Sequence, residues 1–184
     1  MNRTRLEEEK RYWNLAALDP SVDEKYICDI EDEPFYAALG DLKPPVLEIG
    51  CGVGRLMKPG YTGVDISRKM LAIAKKRKPD CTFILGNGRE IPAHNGSFQS
   101  AYCVLVFQHL PEEGVKAYLK EAHRVLKRGG VFRFQFIQGT ESEPFSHHSP
   151  IDDMDWWVQQ AGFTVEAIDE KLIHKQWTWF TARR

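Results

Sequence analysis

The chain has 184 residues, 28% of them charged, yet a formal net charge of only −1, which excludes a general electrostatic pull toward nucleic acid or an anionic membrane. That length allows one domain with a proper core and leaves no room for a second catalytic domain. The four cysteines (Cys28, Cys51, Cys81 and Cys103) form no Cys-x-x-Cys pair and no His–Cys metal spacing, so a zinc site and a disulfide framework both drop out, and reduced thiols suit a cytosol.

The first 40 residues carry no strand pattern. Arg5 to Leu15 reads as a helix, and Tyr12, Trp13, Tyr26, Phe35 and Tyr36 add aromatic surface. Flat aromatic faces can cover a ligand while their polar tips reach water. Residues 1–40 are therefore expected to form a helical lid over a core spanning residues 41–184. The charged N-terminus has no apolar h-region, so no signal peptide is expected. No apolar stretch approaches transmembrane length.

From about residue 41, strand-like and helix-like segments alternate, which predicts an α/β sheet. Strands are expected at Val46–Ile49, Gly63–Asp65, Thr82–Leu85, Ala101–Val106, Val131–Ile137, Thr164–Asp169 and Leu172–Ala182. Between the first two, Lys58-Pro59-Gly60 limits any helix after the glycine loop to about one turn. Ser67 is an N-cap candidate for a helix that buries Met70, Leu71, Ile73 and Ala74. Its basic run of Arg68, Lys69, Lys75, Lys76, Arg77 and Lys78 reads as a solvated face. A longer helix from about Glu112 to Lys127 has an apolar stripe including Val115, Tyr118, Leu119 and Ala122, with Gly129-Gly130 as its stop. The fifth strand sets Phe132, Phe134 and Phe136 against Arg133 and Gln135. A central strand should be apolar on both faces, so here one face meets a polar cluster, or Gln135 lines a substrate pocket. A last helix starts near Asp152, buries Met154, Trp157 and Val158, and ends at Gly162.

Residues 46–65 are the most informative stretch. Val46, Leu47 and Ile49 enter a loop with glycine at Gly50, Gly52 and Gly54, and a second apolar run ends on Asp65. Alternate glycines remove Cβ atoms where a backbone turns tightly or approaches a ligand. An acid at the tip of the next strand can accept both hydroxyl hydrogen bonds of a ribose. The dinucleotide fingerprint needs Gly-x-Gly-x-x-Gly opening a full helix, with its acid about 20 residues on. Here the pattern is Gly-x-Gly-x-Gly, Asp65 follows Gly54 by eleven residues, and Glu48 sits at the first strand's end. A carboxylate there opposes a pyrophosphate and favours a cationic amino group. S-adenosylmethionine, with a ribose, a sulfonium and an ammonium, fits better than a nicotinamide dinucleotide.

These motifs resemble the class I S-adenosylmethionine-dependent methyltransferases, in particular the small methyltransferase type 11 group. The resemblance runs from about Val46 to the C-terminus. It rests on Glu48-Ile49-Gly50-Cys51-Gly52-Val53-Gly54, on Gly63-Val64-Asp65-Ile66-Ser67 with Met70-Leu71, and on Arg124-Val125-Leu126-Lys127-Arg128-Gly129-Gly130. It implies a doubly wound, mainly parallel seven-stranded Rossmann-like sheet whose last strand is antiparallel and inserted beside the fifth. It implies that Glu48, Gly50, Cys51, Gly52, Gly54, Asp65 and Ile66 hold the methionine end and the ribose. Ile84 to Pro92 resembles the adenine-contacting turn, with Asn87, Gly88 and Arg89 as contacts. Asn87 stands where the family usually has Asp, and its carbonyl can still accept from the adenine amino group.

Val104 and His109 close the fourth strand, which in the family ends beside the transferable methyl. Histidine is the residue type suited to proton transfer near neutral pH, which makes His109 a general-base candidate; a histidine packed at a strand–helix junction is the other reading. His147-His148 makes a poor chelate, because adjacent side chains diverge. The implied reaction is in-line transfer of the sulfonium methyl to oxygen, nitrogen or carbon, which depends mostly on alignment. A small-molecule acceptor ranks first, since the chain is neutral and has no appended recognition domain. A nucleic-acid acceptor ranks second, because the Asn/Asp-Pro-Pro-Tyr and Pro-Cys motifs are absent. A non-catalytic S-adenosylmethionine-binding partner subunit ranks third.

Overall fold

The computed structural model describes residues 3–18, 31–140 and 146–184; Tyr26 and Cys28, with the rest of 19–30, lie outside the described residues. Among the described residues, helices α1 (Arg3–Ala16) and α2 (Asp32–Leu39) precede the sheet. Next come β1 (Val46–Ile49), β2 (Thr62–Asp65), α3 (Arg68–Arg77), β3 (Thr82–Leu85) and β4 (Phe98–Cys103). A 3-10 turn at Phe107–His109 leads into α4 (Glu112–Val125) and β5 (Leu126–Gln138). The chain ends with β6 (His148–Ser149), α5 (Ile151–Gln160), β7 (Thr164–Glu170) and β8 (Trp177–Arg183).

The sheet runs β3-β2-β1-β4-β5-β8-β7. Strands β1 to β5 pair in parallel, and β8 inserts antiparallel between β5 and β7. The expected doubly wound, seven-stranded topology is present. The two-residue β6 adds to it, pairing with Ile137 and Gln138 beyond the point where β4 has stopped.

Each face of the sheet has its own cover. On one, Phe132, Phe134 and Phe136 interlock with Leu119, Ala122 and Val125 of α4 and with Met154 and Val158 of α5. On the other, Phe35, Ala38 and Leu39 of α2 cover Val46, Tyr102, Trp177 and Trp179. No helix follows the glycine loop. Instead, successive turns (Gly54 N–H to Cys51 O, 2.8 Å; Met57 N–H to Gly54 O, 3.3 Å) carry the chain past Lys58-Pro59, and Leu56 and Met57 bury themselves against the sheet. That differs from the single helical turn expected.

Further boundaries differ from expectation: the last strand starts at Trp177 and not at Leu172, after turns over 171–176, and the fifth starts at Leu126 and not at Val131. The fourth strand lies three residues earlier, because Leu105 turns to φ 60° and ends the ladder. Helix α4 stops at Val125, ahead of the two glycines, because the chain enters β5 at Leu126. Gly130 is required there: a Cβ on it would lie 2.9 Å from Lys127 O and 3.0 Å from Gln99 O. Among the described residues no helix is long and apolar enough to cross a membrane.

Candidate functional site

The carboxyl ends of β1, β2 and β4 open into a cleft of about 170 Å³, with α1 and α2 along its rim. Backbone bonds set its floor. Gly50 and Cys51 both donate to Val64 O (2.8 and 3.1 Å), which fastens the glycine loop to the tip of β2. Gly50 (φ 72°) also permits close approach, since a Cβ there would sit 2.3 Å from Cγ2 of Val106. At Gly52 (φ 50°) a Cβ would meet nothing within 4 Å, so the cleft is open above it.

Two carboxyl groups flank that opening. Asp65, half-buried, accepts from Gly52 N–H at Oδ2 (2.9 Å) and from Ser67 N–H at Oδ1 (2.7 Å). Burial pushes its carboxyl upward, and the backbone donors of Ser67 and Gly52 pull against that rise. A carboxylate offers about four lone-pair positions, not all taken by the backbone donors of Ser67, Gly52 and Ile66, so acceptor capacity remains for a ligand hydroxyl. Glu48 is buried at 4% exposure. Burial pushes its carboxyl up to about 8, although a hydrogen bond from Tyr102 lowers it in part. The Tyr102 hydroxyl lies 2.9 Å from Glu48 Oε2 and 3.2 Å from Leu56 O. One hydroxyl proton cannot serve both acceptors at once. The Tyr102 hydroxyl donates to Glu48, the nearer of the two acceptors.

The residues singled out from the sequence divide in two. Glu48, Gly50, Cys51 and Gly52 line the cleft from below, Asp65 and Ile66 from the β2 end, Gly88 from the turn after β3, and Val104 and His109 from beyond β4. Gly54, Asn87 and Arg89 are not on its lining. Gly54 faces Ala74 of α3 and Lys78 just past its end. Asn87 Oδ1 accepts from the N–H groups of Arg89 (2.9 Å) and Glu90 (2.8 Å), and its amide donates to Glu90 (3.1 Å), so it braces its own turn. Arg89 is exposed, and His147 and His148 stand apart from the cleft. Gln135 is fully buried behind the wall and forms part of a polar cluster.

Sequence reasoning missed other contacts of the site. Trp13 of α1 meets His109 edge-on, ring centres 5.2 Å apart. Asn14 Oδ1 accepts from Ser67 Oγ (2.9 Å) and Lys69 N–H (3.3 Å), which anchors α1 on the N-terminus of α3. Arg55, bonded to Asp32 at 2.6 Å, joins α2 to the turns after the glycine loop. Tyr118 lies on the buried stripe of α4 and also reaches the cleft. Arg124 donates to Ile91 O and Ala93 O (2.8 Å each) while Glu121 accepts from Ile91 N–H (2.8 Å). That pair holds the segment following the Gly88 turn. None of these partners is adjacent in sequence, and only the aromatic content of the N-terminal segment hinted at them.

Comparison with known proteins places this architecture. A family model described as a methyltransferase domain matches residues 46–130. Demethylmenaquinone methyltransferase of Chlorobaculum tepidum is 36% identical over 101 residues, covering 50% of this chain and 40% of the relative. The chain spans between 40% and 50% of the length of the first curated relatives it matches. Magnesium protoporphyrin IX methyltransferase from Synechocystis PCC 6803, solved with S-adenosylmethionine bound, superposes with a TM-score of 0.73 at 17% identity, over 98% of this chain and 97% of that one. A putative methyltransferase solved in complex with the Haloferax volcanii Trm112 activator superposes at 0.75 with 16% identity, over 93% and 96%. Residues 46–130 match the methyltransferase-domain family, and the motif order and the inserted antiparallel β8 agree with the class I S-adenosylmethionine-dependent methyltransferase fold.

Proposed function

We propose that this chain is a methyltransferase that holds S-adenosylmethionine in the β1–β2–β4 cleft and methylates a small, largely apolar acceptor. The observation that carries the reading is the pair of carboxyl groups, Glu48 and Asp65, on either side of the open space above Gly52. Asp65 has acceptor capacity left for a ribose hydroxyl, and Glu48 is placed for the cationic methionine end. Ile66 and Gly88 line the side toward β3, where the adenine would lie, and Asn87 shapes that turn. The bound cofactor supplies an electrophilic methyl on a sulfonium. The protein's own share is to align, to exclude water and to discharge the cation against carboxylate. His109, on the acceptor side beyond β4, is the candidate to hold a proton from the acceptor.

Support for a small apolar acceptor comes from the walls. Trp13, Phe35, Leu105, Val106 and Leu110 present flat or aliphatic surface to the cleft. Relatives and fold neighbours include enzymes named for a quinone and a porphyrin, both planar ring systems. Calorimetry with S-adenosylhomocysteine, followed by a labelled-methyl screen of phenolic and quinol acceptors, tests the reading. Absence of any binding at cofactor concentrations far above the micromolar range would end it. The fold likeness to the chain solved with an activator supports a second reading, in which a protein partner completes the acceptor site. In that case the chain alone binds S-adenosylhomocysteine yet methylates nothing in the screen.

A further inference from the structure

We propose that Gln135 is a positioning residue, fixing the acceptor-side wall of the cleft through the backbone of Leu105. The inference rests on the cofactor reading above for its functional consequence, but not for the contact itself.

Leu105 adopts φ 60° without being glycine. Side chains with a Cβ avoid that region, and such residues persist only where their surroundings over-determine them. The surroundings here are specific. Gln135 is fully buried on β5, and its Oε1 accepts from Leu105 N–H at 3.0 Å. Its amide donates to Gln108 Oε1 at 3.3 Å. The backbone of Gln108 in turn accepts from His147 N–H at 2.6 Å. The loop from Val104 to Gln108 is thus tied at two points to β5 and to the segment that follows it.

What the loop does explains the value of the tie. Val106 packs over Gly50 so closely that any Cβ on that glycine would overlap it. The backbone at Leu105 sets how Val106 meets the glycine loop, and both residues line the cleft. Gln135 itself reaches no lining position; its face is otherwise filled by Tyr102, Trp179 and other apolar groups. An apolar residue of equal size would satisfy that packing. It would leave Leu105 N–H without its acceptor, and the loop would spend part of its time in relaxed conformers that bind poorly.

Two measurements test this. Hydrogen exchange on the free protein should show loss of protection in residues 104–109 of Gln135→Leu, whatever the ligand. Calorimetry with S-adenosylhomocysteine should show affinity about tenfold weaker in Gln135→Leu than in wild type. In a Leu105→Gly background the same change should cost about twofold or less, since glycine adopts φ 60° unaided. If Gln135→Leu does not fold, Gln135→Met fills the slot with a flexible chain and carries the same comparison. Unchanged exchange at 104–109, or an equal affinity loss in the wild-type and Leu105→Gly backgrounds, overturns the proposal. Failure of the wild type to bind at all counts against the cofactor reading, and the exchange result then decides the role of Gln135 alone.

Discussion

At the scale of single residues, two acids in one cleft perform different tasks because their partners differ. Asp65 is held open toward the ligand by backbone donors on both oxygens. Replacing it with alanine removes a charge-assisted bond to the ribose, worth about 1.5–3 kcal/mol before water compensates. Asp65→Ala should therefore weaken S-adenosylmethionine binding at least about tenfold, and calorimetry showing equal affinity would remove the ribose assignment. Glu48, by contrast, is raised by burial from the ordinary range near 4.5 to about 8. A carboxyl held higher in the folded state than in the unfolded one stabilises the fold at low pH. The stability of the free protein should then fall as pH rises from about 4.5 to about 8 and level off above. Glu48→Gln should flatten that slope in denaturant titrations. Binding a cationic ligand beside Glu48 requires its ionisation, so binding near pH 6.5 should release a proton, seen as a dependence of calorimetric heat on buffer ionisation enthalpy. Loss of that dependence in Glu48→Gln assigns the proton; its persistence excludes Glu48 as the source.

At the scale of elements, α1 connects the cleft to the N-terminal segment. Ala16 packs on Val53 and Met70, Asn14 caps the start of α3, and Trp13 touches His109. A lid built this way should close more firmly when a ligand fills the space beneath it. Limited proteolysis should cut residues 1–18 readily in the free protein and slowly with S-adenosylhomocysteine. Asn14→Ala, which deprives Ser67 and Lys69 of their acceptor, should raise the cutting rate in both conditions. A helix that merely seals the sheet edge would be cut at one rate with or without ligand. Most elements were legible in advance because apolar period and turn chemistry agree: Ser67 does cap α3, accepting from Met70 N–H at 3.2 Å. The fourth strand was misplaced because Val104 to Val106 has strand composition, and composition does not register a left-handed Leu105 held by a side chain 30 residues away. Glu48 and Asp65 were legible because strand-end acids and spaced glycines are local signals. Arg55 and Tyr118 were not, since tertiary contacts alone bring them to the cleft.

At the scale of the whole molecule, the distribution of charge matters more than its sum. The formal net charge is −1, yet Arg68, Lys69, Lys75, Lys76 and Arg77 all project from the exposed side of α3. Such a face could serve only to keep the helix solvated, or it could track a phosphate backbone. The cleft's apolar walls favour the first, because a small planar acceptor gains its affinity from buried area and not from counterion release. Binding of a small acceptor should then change little between low and moderate salt. A phosphate-tracking protein would instead lose affinity with a log–log slope of about −0.7 to −0.9 per neutralised phosphate. Reversing Lys75, Lys76 and Arg77 to glutamate should leave S-adenosylhomocysteine affinity and acceptor methylation within about twofold, as these side chains lie off the cleft lining. Tight RNA or DNA binding by the wild type, abolished in that triple variant and steeply salt-dependent, would move the acceptor from small molecules to nucleic acid and make α3 the surface that recognises it.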